Sequence, residues 1–322
     1  MDIDADLALL RRFEPVMRCT RGERFFPIRV EPYVQRCSLW AWRPRGEQVC
    51  LVPQGELTLA ELSQSRPDAF GTVHYLKLTD PLSPGELAGY VLKRRLLQKN
   101  SQNAFRAGRG RLARVGYLSR LVAAAFAISL LARGRVPGDM AAAANIAYDR
   151  LMAQSEQCSY YGRVVRQNGW IVLQYWFFYL FDDWRSGFFG ANDHEADWEM
   201  ISLFLYETQS GSIVPEWAAF AAHDQSGDDL RRRWDDPELE KIGEHPIVYV
   251  GAGSHASYFQ PGEYMTEIQL PFLAPYARVA DALQGFWRDK LGQYVGEESR
   301  GEQTQASKIL RVPFVVDLSG PA

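Results

Sequence analysis

Over most of the chain, apolar and polar residues alternate in short runs separated by Pro and Gly, the period-two signature of strands. FFPIRV (25–30), SLWAW (38–42), QVCLV (48–52) and FGTVHYLKL (70–78) form one such series. A second begins with VVRQNGWIVLQYWFFYLF (164–181), where Asn168-Gly169 predicts a tight hairpin turn. It continues through ADWEMISLFLY (196–206), VPEWAAFAAHD (214–224) and HPIVYVGAGSHASYF (245–259), then TEIQL (266–270) and ILRVPFVVDL (309–318). Helical spacing is confined to residues 4–13, to the stretch from Leu87 to Met152, and to 272–287. The expected fold is mainly β (α+β): a β-sandwich core with peripheral helices in one domain, 1–322, carrying a helical insertion over 86–152.

That insertion also concentrates charge. No acid occurs between Glu86 and Asp139, whereas eleven Lys and Arg do, so a net charge of −3 leaves −14 on the rest of the chain. Within it, LVAAAFAISLLA (121–132) is uncharged but too short to span a bilayer, which needs about 20 apolar residues. Three readings stay open. The run can pack as a hairpin on the Ala-rich helix that Asp139 would cap. It can meet an anionic membrane surface or lipid headgroup, with Arg111, Arg114, Arg120, Phe126 and Arg133 facing it. It can bind nucleic acid, the weakest of the three because Phe105 and Tyr117 are the only aromatics among the basic residues 93–120.

The 47% apolar fraction excludes a mostly disordered chain. Cys19, Cys37, Cys50 and Cys158 have no CxxC spacing, which argues against a zinc ribbon or dithiol site. The first residues lack a basic stretch followed by an apolar one, so the expected location is cytoplasmic, peripherally on a membrane if the insertion binds lipid.

Candidate chemistry is densest in residues 170–199. Ten aromatics among residues 170–189 lead into Asp193, His194, Glu195, Asp197 and Glu199. Alternation puts Asp197 and Glu199 on one strand face, with Trp198 on the other and free to anchor in the core. If this strand pairs with the preceding one, Asp182 and Asp183 lie beside His194. Oxygen ligands with one imidazole suit magnesium, calcium or manganese better than zinc. The competing arrangement pairs Asp197 and Glu199 with Arg163 or Arg166, since buried carboxylates need compensation of some kind. His223, backed by Asp224, and His255 in GAGSHAS are further ligand or proton-carrier candidates. His74 reads as an ordinary strand histidine and His245 as a loop residue.

NDHEADWE (192–199), QYWFFYLFDDW before it, AAHD (221–224), HPIVYVGAGSHASYF and the opening LRRFEPVMRCTRGERFFPIRVEPYV (10–34) together resemble the vacuolar protein sorting-associated protein sixty-two family over most of the chain. More distantly, the Asp-Trp-Glu element is similar to the heptapeptide of the necrosis-inducing cytolysins of plant pathogens, β-sandwich proteins that use a divalent cation in attacking membranes. That resemblance implies cation ligands at His194, Asp197 and Glu199, with an upstream aspartate at Asp182 or Asp183. Where the cytolysins have Gly-His-Arg-His before Asp-Trp-Glu, this chain has Asp-His-Glu-Ala, so Asp193 and Ala196 replace a glycine and a histidine.

Two functions follow as expectations. One is a divalent-cation-binding module acting on lipid or glycan headgroups. The other is a metal-dependent phosphoester or carboxylic ester hydrolase with Glu199, Glu195 or His223 as general base. No GxSxG elbow supports an acyl-enzyme route.

Overall fold

The computed structural model describes residues 3–20, 23–64, 66, 68–98, 139–154, 158–183, 193–222, 230–251, 253–260 and 305–309. Its largest element is an antiparallel sheet in the order β5 (Tyr161–Gln167), β6 (Trp170–Asp182), β7 (His194–Glu207), β8 (Ile213–Phe220) and β9 (Arg231–Arg233). β5 and β6 are joined by Asn168 (φ 52) and Gly169 (φ 81). Two successive positive φ values are what a type I′ turn needs, so the pair fixes the register from Gln167 opposite Trp170 to Tyr161 opposite Trp176.

A second sheet is built from distant parts of the chain. β1 (Val16–Thr20) lies between β11 (His245–Val250), parallel to it, and β13 (Gln305–Ile309), antiparallel; β10 (Lys241–Ile242) and β12 (Ser257–Tyr258) both pair with β11. Inward residues of both sheets join one core: Leu173, Tyr175, Phe177, Ile201, Leu203 and Leu205 from the first, Met17, Cys19, Val248 and Val250 from the second. Phe220 stacks on Phe259 across this core at 4.1 Å between centroids. Helix α1 (Ile3–Arg12) closes one end; Leu10 is buried, as is Phe13 just beyond the helix, and the Leu10 carbonyl accepts a bond from the Tyr175 hydroxyl at 2.9 Å. A mainly β chain with flanking helices is therefore the fold.

A third sheet, β3 (Gln48–Val52), β2 (Ser38–Trp42) and β4 (Val73–Lys77), packs Leu39 and Leu76 toward the same core. FFPIRV, expected as a strand, is not one. Residues 25–29 are irregular, tied down by the Ile28 N–H to Phe178 O and the Ser159 N–H to Pro27 O, and Val30 begins the short helix α2 (Val30–Val34). Pro27 has no N–H for a ladder, and Pro32 fits a first helical turn.

Between β2 and β4, the connection from β3 includes helix α3 (Leu59–Leu62), with Thr58 and Glu61 forming a capping box. Within the expected insertion, α4 (Pro84–Gln98) starts with Ser83 and Glu86 bonded reciprocally, and α5 (Asp139–Met152) starts at Asp139, whose carboxylate accepts the Met140 N–H. α5 buries Ala141, Ala142 and Ala144, and Asn145 accepts a bond from the α4 residue Tyr90 at 2.6 Å. The apolar run 121–132 lies outside the described residues, as do Arg111, Arg114, Arg120, Phe126, Arg133 and the expected elements at 266–287 and 310–318. Among the described residues, no helix is long and apolar enough to cross a membrane.

Candidate metal centre

The aromatic run of β6 is buried on both sides from Phe177 to Phe181, which fixes the strand rigidly where it delivers Asp182 and Asp183. β7 pairs with it so that Asp182 stands opposite His194 and Tyr179 opposite Asp197. One ligand atom from each of Asp182, His194 and Asp197 falls within 4.8 Å of the other two. His194 lies at the exposed rim, its Nε2 3.5 Å from Asp182 Oδ2, while both aspartates are buried.

Ala196 decides which way the neighbouring side chains point. Its φ is 61, a left-handed value that non-glycine residues rarely adopt and that breaks the strand alternation. Glu195 therefore turns to the opposite face, where it accepts the amide N–H groups of Leu78 (2.7 Å) and Thr79 (3.2 Å). Trp198 shares that face; it is 44% exposed and packs on Phe178 and Tyr161, so it does not anchor in the core. Asp197 and Glu199 stay buried on the pocket side. Glu195→Ala is expected to cost about 1–3 kcal/mol, because it strands two amides, while leaving divalent-ion affinity within twofold. Thermal melting and metal titration of one preparation check both parts.

The pocket is rich in acidic side chains. Burial first, then Asp197, Asp193, Asp183 and Glu199, push the Asp182 carboxyl up to about 9. Its Oδ1 is buried with no hydrogen-bond partner. Tyr179 is raised well above the usual phenol range by burial and then by surrounding groups that include Glu199, Asp197 and Glu23. Among the described residues, Arg24 lies 3.6 Å from Asp183, and Arg166 pairs with Asp6. The competing arrangement, Asp197 and Glu199 paired with Arg163 or Arg166, thus loses Arg166 to a pair elsewhere. Asp183, predicted as a ligand, is held by Arg24 and donates its N–H to Gly253 O.

His255 is buried beside the ligands. Its Nδ1 is 3.0 Å from Asp197 Oδ2, and its ring stacks on Tyr179 at 3.9 Å and 4°. The turn carrying it is possible because Gly251 has no side chain: a Cβ there would fall 2.6 Å from Ser254 Oγ. Gly253, with φ 74, donates to Glu23 Oε2 at 2.9 Å. Glu23, Arg24 and Tyr179 belong to this pocket and were not expected in it. Glu23 and Arg24 lie in the GERFF segment of the N-terminal resemblance, and Tyr179 in the aromatic run. His223 and Asp224 lie outside the described residues. His245 bonds Glu14 O at 2.8 Å, away from the pocket, and His74 is exposed on β4.

These residues fit a divalent cation. Asp182 lies among Asp197, Asp193, Asp183 and Glu199, and a buried carboxylate oxygen without a partner, as its Oδ1 is, is costly unless protonated or coordinated. Asp182, Asp197 and His194 would hold the ion; Asp193, Asp183 and Glu199 also act on the Asp182 carboxyl, and His255 orients Asp197.

No family model matches the chain, that of the vacuolar sorting family included, and no curated protein matches it. Several solved structures are similar over part of their length. NLPPya in complex with mannosamine is 20% identical over 39% of this chain and 56% of that one, with a TM-score of 0.25. The non-toxic HaNLP3 protein is 16% identical over 38% and 57%, with a TM-score of 0.25. Necrosis and Ethylene inducing Protein 2, from the causal agent of cocoa's Witches Broom disease, is 17% identical over 46% and 71%, with a TM-score of 0.26. The chain thus spans little more than half the length of the first two, and the likeness is to a portion of each fold.

Proposed function

We propose that this protein holds a divalent cation between Asp182, Asp197 and His194 and uses it to bind an oxygen-rich headgroup, the phosphate of a lipid or the hydroxyls of a glycan. The observation that carries the reading is the buried, unpartnered oxygen of Asp182 amid four further carboxylates. The shape of the pocket supports the rest. Asp182 and Asp197 are buried, whereas the third ligand, His194, lies at the exposed rim. A bound divalent ion supplies positive charge and outward coordination positions open to external oxygens. The chain's own residues do the positioning: Tyr179 and His255 hold Asp197, and the aromatic run holds Asp182.

Titration of the metal-free protein with magnesium, calcium, manganese and zinc tests the first step. One equivalent of an oxygen-preferring ion should bind, and at least about tenfold more weakly to Asp197→Ala and His194→Ala, in line with the loss of a ligand. Equal, negligible binding by wild type and variants would remove the reading. Cation-dependent retention on phosphoinositide or glycolipid vesicles tests the second step.

The hydrolase reading keeps one of its three bases in view. Glu195 is committed to Leu78 and Thr79, whereas Glu199 is buried beside Asp182. Turnover of phosphoesters or carboxylic esters that disappears in Glu199→Gln with the ion still bound would favour it.

A further inference from the structure

The three-stranded sheet has an apolar outer face that the acidic pocket does not use. Strand alternation sends Leu39, Ala41 and Leu76 inward and leaves Trp40, Trp42, Val73 and Tyr75 outward, in the rows Trp40–Tyr75 and Trp42–Val73. Trp42 is 53% and Val73 58% exposed. Phe70 stands fully exposed on the adjoining turn. The turns at 43–47 and 68–72 form one crest: Arg43 lies 3.4 Å from Asp68, and a Cβ on Gly71 would fall 3.3 Å from Pro44.

The chemistry of this face favours lipid over sugar or protein. A glycan platform needs free hydrogen-bonding groups between its rings. Here the Trp40 indole N–H is already given to Ser38 Oγ at 2.8 Å, and the Cys50 thiol to Val52 O. A protein partner would need a pocket to receive side chains that project from a crest. A bilayer interface needs none, and Trp, Tyr and Phe beside long cationic side chains are what it accepts. Lys77 lies over the Trp40 ring at 5.4 Å, and Arg45 is exposed at the opposite end of the strip. Nearby acids offset these cations, Asp80 with Lys77 at 2.6 Å and Glu47 and Asp68 with Arg43. Attraction therefore rests on apolar insertion, with little dependence on lipid charge.

We propose that the outer face of β2 and β4, led by Phe70, Trp42 and Val73, docks on a lipid surface. Val73 and Leu78, the residue that meets Glu195, are separated by roughly 17 Å of extended chain, so docking does not require the cation pocket.

Co-sedimentation of the full chain with phosphatidylcholine vesicles in the presence of a chelator tests this. Wild type and Asp182→Asn should partition equally, with little change on adding salt. The Phe70→Ser/Trp42→Ser double variant should partition roughly tenfold less, two exposed apolar anchors being lost. Its melting should change little, since Phe70 is fully exposed and Trp42 more than half exposed. Three results would overturn the proposal: no partition of wild type in chelator, equal partition of the double variant, or a wild-type dimer that the double variant abolishes. Retention that appears only with a divalent ion and survives in the double variant would also overturn it, while supporting the cation pocket.

Discussion

Asp182→Asn is expected to stabilise the metal-free protein at neutral pH by about 2–4 kcal/mol and to abolish the stabilisation that a divalent ion confers on wild type. The sign follows from the raised carboxyl, about 9 in the fold against an ordinary value of 3.8. Below the ordinary value, folded and unfolded chains both carry the proton and nothing is lost. As the pH climbs toward 9, the unfolded chain releases the proton while the folded one keeps it, so wild-type stability falls by up to about 1.4 kcal/mol per pH unit. An amide cannot ionise, and the variant loses that slope. Urea unfolding of both proteins across this range, with and without the ion, is the measurement. Parallel slopes would mean that Asp182 is not held as a buried acid.

His255→Ala should cost about 3–5 kcal/mol. It removes a fully buried ring stacked on Tyr179 and leaves the Asp197 carboxylate, at 6% exposure, without its imidazole. His255→Asn should recover part of the loss, because Asn tolerates the φ of 56 found there and its amide can donate to a carboxylate. Divalent-ion affinity should follow the same order, with Ala weakest. A cost for His255→Ala below about 1 kcal/mol would show that the ring does not position the ligand.

Local chemistry made much of this architecture readable. Asn168-Gly169 fixes a hairpin by its φ values alone, and the pairing of Asp182 with His194 follows once β6 and β7 are neighbours. What local pattern cannot carry is the long-range part. Glu23 and Arg24 reach the pocket from well over a hundred residues away, and nothing in their own segment has strand or helix periodicity. Ala196 hides a reversal of direction inside a run that alternates on paper, so Glu195 leaves the side that it would share with Asp197 by parity. FFPIRV has strand-like composition, but Pro27 and Pro32 turn it into a tether and a short helix.

The second sheet imposes an order of assembly. Val16 is paired with Ile247 on one side and Ile309 on the other, so β1 cannot complete its ladders until residues more than two hundred positions later have been synthesised. The sheet from β5 to β9 consists of sequential antiparallel neighbours and can form earlier. Until β11 arrives, Met17 and Cys19 have no strand to cover them, and His255 is not yet present to meet Asp197. The acidic pocket therefore matures late, and a nascent chain stalled before β11 presents a bare strand edge for chaperones or wrong partners to seize.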